Sequence, residues 1–187
     1  MPTPVGHALG GLAAAFLTNA AAPRPRLTMP VLAWSAALAI APDLDILTGD
    51  HRTYTHSIGA VAIVGLVAWS VLRRRHADAF ALAAALAAAY GSHVVFDLMG
   101  KDTRDPTGLT AFWPFSASYF MTGWDVFGEV SRRYWLPREF IIGNLAATGW
   151  ELVLLVPLLL VAWAVWSGRT LERKKEEGKR KSARATG

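Results

Sequence analysis

The sequence predicts an all-α fold: a polytopic membrane bundle of about five transmembrane helices, with one short amphipathic helix in the interface. Three observations carry this reading. Hydrophobic residues make up 53% of the 187 and charged residues only 18%, a balance more apolar than soluble domains show. Five apolar segments cover residues 5–22, 29–47, 55–72, 77–98 and 145–166, close to the ~20 residues that each helix needs to cross a bilayer core. Strongly basic turns fall after the first, third and fifth segments, as alternating helix directions require if one side of the membrane collects positive charge.

The first segment has no Lys or Arg before Arg24. It lacks the positive flank of a cleavable signal peptide and is expected to remain in the mature protein. A Pro/Arg turn over 21–26 closes it. The second segment ends in Pro42-Asp43-Leu44-Asp45, read as a helix end unwinding into extended chain, with both carboxylates on one side. The third starts at Thr55, a candidate N-cap, and stops at Arg73-Arg74-Arg75-His76. These three segments are short or interrupted by Gly and polar residues, so recessed or tilted helices are expected. The fourth and fifth are longer, and residues 79–89 and 152–166 are apolar all round. A helix with no polar face belongs inside protein or lipid. The connection over 100–143 is rich in aromatics: Trp113-Pro114-Phe115, then Tyr119, Phe120, Trp124 and Phe127. The last four recur near helical spacing and predict the amphipathic interfacial helix.

The sequence pI of about 9.9 invites a nucleic-acid reading, which the location of the charge opposes. Residues 168–187 hold eight basic and three acidic side chains, which is the whole net charge of +5. No aromatic or Gly-rich readout pattern is interleaved with them, so no nucleic-acid partner is expected. The chain therefore divides into a membrane-embedded domain over 1–167 and a basic tail over 168–187, expected to lie in the cytoplasm against anionic lipid. That places the N-terminus outside, together with the 43–55 connection and the long aromatic loop, in an inner or plasma membrane.

Topology then brings chemistry together. His7 begins the first segment, Asp43 and Asp45 end the second, His51, Arg52 and His56 precede the third, and His93 and Asp97 end the fourth. Alternating directions put all eight at one end of the bundle, whereas His76 falls at the other. Ionisable groups at membrane depth are costly and mark sites. His93 and Asp97, four apart on a helix, share a face. Cysteine is absent, so a metal would be held by imidazole and carboxylate, a set that suits zinc, manganese or iron. The metal ligands expected are His7, Asp43, Asp45, His56, His93 and Asp97, all within 1–116, around one to three divalent ions.

The motifs also carry a resemblance. Gly6-His7, Pro42-Asp43-Leu44-Asp45, His51-Arg52-Thr53-Tyr54-Thr55-His56-Ser57, Ser92-His93-Val94-Val95-Phe96-Asp97 and Trp113-Pro114-Phe115 follow one another as in the YdjM-like (DUF457) family of membrane-bound, metal-dependent hydrolases. That family is distantly similar to zinc-dependent phospholipases C and P1-type nucleases. The resemblance implies a phosphoester or lipid-linked substrate and a zinc-assisted hydrolysis. Asp43 or Asp45 would take a proton from water, and Arg52 and His51 would stabilise developing negative charge. Two other classes remain: a metal-binding protein with a structural or sensory role, and a transporter. The second would need polar groups continuing across the bilayer, and the middles of the third to fifth segments are apolar.

Overall fold

The computed structural model describes the chain except residues 48, 50, 51, 104, 132–134 and 186–187, and of Ala185 it describes the backbone alone. His51 therefore lies outside the described residues. Among the described residues, five α-helices alternate in direction: α1 (Pro4–Ala20), α2 (Met29–Ile40), α3 (Ile58–Leu72), α4 (Ala79–Leu98) and α5 (Pro137–Ala185). Two 3₁₀ turns, Ala41–Leu47 and Tyr54–His56, join α2 to α3.

The glycines of α1 explain its central place. Thr3 caps it, its hydroxyl accepting from the Gly6 N–H at 3.2 Å, and Pro4 occupies the first turn, where a missing N–H costs nothing. A Cβ on Gly10 would enter the Phe96 ring of α4, and one on Gly11 would strike the Ala39 methyl of α2. The bare backbone thus lets three helices close on one another, as small residues do in membrane bundles. His7, Ala13, Ala15, Phe16 and Asn19 of α1 are buried. On its remaining side α1 packs against α5.

By contrast, α3 packs on α4 and buries no residue completely. Ile63, Leu66, Val67 and Val71 face outward, as befits a helix solvated by lipid.

Among the described residues, three helical stretches are long and apolar enough to cross a membrane: Met29–Leu47, Ala79–Leu98 and the apolar part of Pro137–Arg184. The expectation of about five spans is thereby reduced. With 17 and 15 residues, α1 and α3 reach only about 25 and 22 Å at 1.5 Å per residue, against a hydrocarbon core of about 30 Å. The shortening of α3 has a local cause. Residues 54–56 wind into the 3₁₀ turn, and Ser57, not Thr55, caps the helix, its hydroxyl accepting from the Ala60 N–H at 3.2 Å.

The fifth helix outruns its apolar stretch and continues unbroken to Ala185. The basic tail is thus the end of a helix that runs on past the bundle.

The predicted amphipathic helix at Tyr119–Phe127 does not form. Gly123 and Asp125 adopt φ of 70° and 49°, left-handed values that a helix does not accommodate. The segment's N–H groups serve the end of α4 instead: Thr122 donates to the Leu98 carbonyl at 3.2 Å and Val126 to the Met99 carbonyl at 2.8 Å. They satisfy acceptors left over where a helix stops. Phe127 is buried against Phe96, with ring centroids 5.1 Å apart. The 109–113 stretch caps α3 in turn, as Ala111 and Trp113 carbonyls accept from the Ile58 and Gly59 N–H groups, each at 2.9 Å.

Candidate metal centre

Three elements that meet at this end of the bundle supply one compact group of ligand atoms. Asp43 comes from the first 3₁₀ turn, His56 from the second, and His93 and Asp97 from α4. One ligand atom of each lies within 4.8 Å of every other. His56 Nε2 and His93 Nε2 are 3.0 Å apart. Asp97 Oδ2 is 3.4 Å from the first and 3.3 Å from the second, and Asp43 Oδ1 is 3.8 Å from both. His56, His93 and Asp97 are fully buried.

The hydrogen bonds behind the rings decide what this cluster attracts. His93 Nδ1 lies 2.7 Å from the Ala39 carbonyl. A carbonyl only accepts, so Nδ1 carries the proton and the neutral ring turns the lone pair of Nε2 toward the cluster. His56 Nδ1 lies 3.1 Å from Asp45 Oδ2 and is oriented likewise. Two imidazole lone pairs and two carboxylate oxygens then face one point, an arrangement that repels itself unless a cation occupies it. Burial opposes charge on His56, yet the Asp43, Asp45 and Asp97 carboxylates outweigh it and raise its pKa to about 9. The site thus draws a proton when nothing else is there. The spacing also fits a metal. Donors held tetrahedrally at ~2.0–2.1 Å, as around zinc, stand about 3.3–3.4 Å apart, and the distances here bracket that value.

Asp43 and Asp45 divide the work. Residues two apart are separated by about 240° on a 3₁₀ turn of three residues, so the expected extended segment with both carboxylates on one side is replaced. Asp43 reaches the Nε2 side of His56. Asp45 sits behind it, on the Nδ1 side, where its Oδ2 also accepts from Thr55 Oγ1 at 2.6 Å and the Arg52 N–H at 3.1 Å. Such a contact fixes the tautomer and direction of a ligating ring. It also explains the His-Arg-x-x-Thr-His spacing: one carboxylate gathers the backbone of Arg52, the hydroxyl of Thr55 and the ring of His56. Arg52 adopts φ of 70° there, a strained value for a residue with a side chain.

His7 stands beside the four. Its ring stacks on His93 at 3.8 Å between centroids, and its Nε2 is 3.4 Å from Asp97 Oδ1. Neither ring nitrogen has a hydrogen-bond partner among the described residues. Asp97 therefore turns one oxygen toward the pair His56/His93 and the other toward His7. The Arg52 guanidinium pairs with Asp102 and lines a cavity of about 280 Å³ together with Asp43, Lys101 and Glu129. Asp43, with 28% of its side chain exposed, is the member of the cluster that meets this cavity.

Three contributors went unread in the sequence. Tyr90 donates to the Thr55 carbonyl at 2.7 Å and steadies the second 3₁₀ turn. Asp102 holds Arg52. Glu151 is buried in α5, where its carboxylate accepts from the Thr3 N–H at 2.7 Å and from the Thr3 hydroxyl, fixing α5 to the start of α1 one turn before His7. A lone Glu inside an apolar span is a readable signal. Tyr90 and Asp102 carry none.

No curated protein and no solved structure was found to match the chain. Residues 1–171 match the family model described as YdjM inner membrane protein. The match runs through every residue of the cluster and the helices that carry them, and the chain belongs to that family of inner-membrane proteins.

Proposed function

We propose that this protein is a membrane-bound, metal-dependent hydrolase acting on a phosphoester or lipid-linked substrate. The observation that carries the reading is an asymmetry. The ligand cluster is sealed on the side of His56, His93 and Asp97 but opens at Asp43 into a cavity that Arg52 and Lys101 also line, whereas a purely structural site would be closed by protein on all sides. His56, His93 and Asp97 would hold the cation and leave its position toward Asp43 and the cavity for water, with His7 and the second oxygen of Asp97 placed for another. Zinc is the metal that the ligand set and spacing suit best. When bound, such an ion supplies water that ionises near neutral pH. Asp45 is engaged by three donors, so Asp43 is the carboxylate placed to accept a proton at the cavity wall. Lys101 and Arg52, the latter held in place by Asp102, line the wall where an anionic group would enter.

By loop charge, the site faces the outer side of the inner membrane and the basic tail meets anionic lipid in the cytoplasm. A reporter fused at the C-terminus should read as cytoplasmic, and a periplasmic signal would reverse this orientation.

The structural or sensory reading draws on the burial of the cluster where α2, α4 and both 3₁₀ turns meet. Elemental analysis of the detergent-purified protein beside His93→Ala/Asp97→Ala comes first. Near-stoichiometric metal in the wild type, absent from a folded variant, establishes the site. Hydrolysis of phospholipid or phosphodiester substrates that is lost in Asp43→Asn, with metal retained, then supports the enzyme. Unfolding on metal removal, with no ester cleaved, supports the structural role.

A further inference from the structure

The end of the bundle remote from the metal cluster contains a second cavity, of about 690 Å³, within the roughly 300–1,000 Å³ typical of small-ligand sites. Three separate elements build it: the α1–α2 turn with Arg24 and Arg26, the α3–α4 turn with Arg75 and His76, and α5 with Arg173 and Lys174. Five cationic side chains thus face one space, against the two carboxylates of Asp78 and Glu177. Glu177 lies 3.8 Å from Arg173 and is 60% exposed, so its screening of the cavity is weak.

The cavity is held in shape. Asn19, fully buried at the end of α1, accepts through Oδ1 from the Arg26 N–H at 2.7 Å and from Trp166 Nε1 at 3.0 Å. One amide therefore clamps the arginine-bearing turn to α5, and Trp166 itself lines the cavity. Trp166 also marks where the apolar stretch of α5 gives way to its charged end. Tryptophan favours that depth in a bilayer, level with the headgroups. Guanidinium groups pair with phosphate oxygens two at a time.

We propose that this cavity is a binding site for a phosphate-bearing anion, supplied by an anionic lipid headgroup or by a soluble phosphate. It is distinct from non-specific attraction of the tail to acidic membranes, because the residues come from three elements fixed around one volume. It also stands independently of any hydrolytic activity at the other end.

The test uses full-length protein in a zwitterionic detergent and native mass spectrometry with three probes: dioctanoyl phosphatidic acid, dioctanoyl phosphatidylcholine and inorganic phosphate. Saturable binding of phosphatidic acid over phosphatidylcholine is expected, and Arg26→Gln/Arg75→Gln should weaken it at least about tenfold. Arg173→Gln, on the surface of α5, should weaken it in a protein whose turns are untouched. Lys179→Gln/Arg180→Gln/Lys181→Gln, farther along the tail, should leave it within about twofold. Binding of inorganic phosphate to the same residues would identify a soluble anion as ligand, whereas binding of the lipid alone would identify the headgroup. The proposal fails if neither phosphate probe binds, or if the tail variant loses binding that the cavity variants keep.

Discussion

His56, His93 and Asp97 are sealed inside one end of the bundle, while Arg24, Arg26 and Arg75 surround an open cavity at the other. The same chain treats charge in two ways because the two ends stand at different cost. A buried charge is tolerated only with partners in place, so the His56 and His93 rings at the closed end each have a fixed acceptor behind them and a fixed direction. An exposed arginine needs no partner to be stable, and at the open end orientation is left to whatever binds. Fixed side chains specify the first site, and a fixed backbone that gathers mobile cationic side chains specifies the second.

Substitutions should separate these two regimes. Asp97→Ala should have the largest effect. It leaves three imidazoles without their shared carboxylate, so the protein should lose its metal and about 3–5 kcal/mol of stability, read by elemental analysis and thermal unfolding. If both survive unchanged, the cluster is not the organising feature of its end. Asp45→Asn keeps every proposed ligand but weakens the acceptor behind His56. Metal affinity should fall about 10- to 100-fold with the fold intact, as measured by competition with a chromogenic chelator. Gly10→Val drives a side chain into Phe96, next to Asp97, and should cost about 1–3 kcal/mol and lower metal content, while phosphate binding at the other end persists.

Acidity separates the ends further. His56 is raised from 6.5 to about 9 in the folded, metal-free protein, so its protonation stabilises the fold fully below about 6.5 and that support is lost as pH climbs through about 9. Metal must displace the same proton, so its affinity should rise over this interval, by up to about tenfold per unit. Unfolding curves with chelator and with zinc should therefore move in opposite directions between pH 6.5 and 8.5. The smallest change is expected for Lys179→Gln with Arg180→Gln, exposed and beyond both sites: within about 0.5 kcal/mol and without effect on metal content.

Much of the closed end was legible beforehand. Apolar runs locate all five helices, and their alternation alone brings His7, Asp43, His56, His93 and Asp97 to one place. The four-residue spacing of His93 and Asp97 survives because a helix preserves it. What sequence spacing could not supply is which way Asp45 turns, since that depends on a 3₁₀ winding that only the packing of α2 against α1 and α4 selects. The aromatic loop misled for a related reason. Its spacing is helical, but Gly123 and Asp125 break the backbone, and unsatisfied carbonyls at the end of α4 recruit its N–H groups. Five crossing helices are not clearly supported, because α1 has only 17 residues and because Thr55, the expected start of α3, lies in the 3₁₀ turn that carries His56.

The distribution of the ligands along the chain has a bearing on how the protein is made. His7 leaves the ribosome first, and the His93–Asp97 pair follows only after α2, α3 and most of α4. Until α4 is inserted and packed, Asp43 and His56 have no partner across the cluster, and His7 has no carboxylate beside it. Cation loading, under the function proposed above, would therefore be an event of the assembled protein rather than of the nascent chain. On the proposed function, metal supply would govern the fraction of finished molecules that are loaded, not the number that reach the membrane.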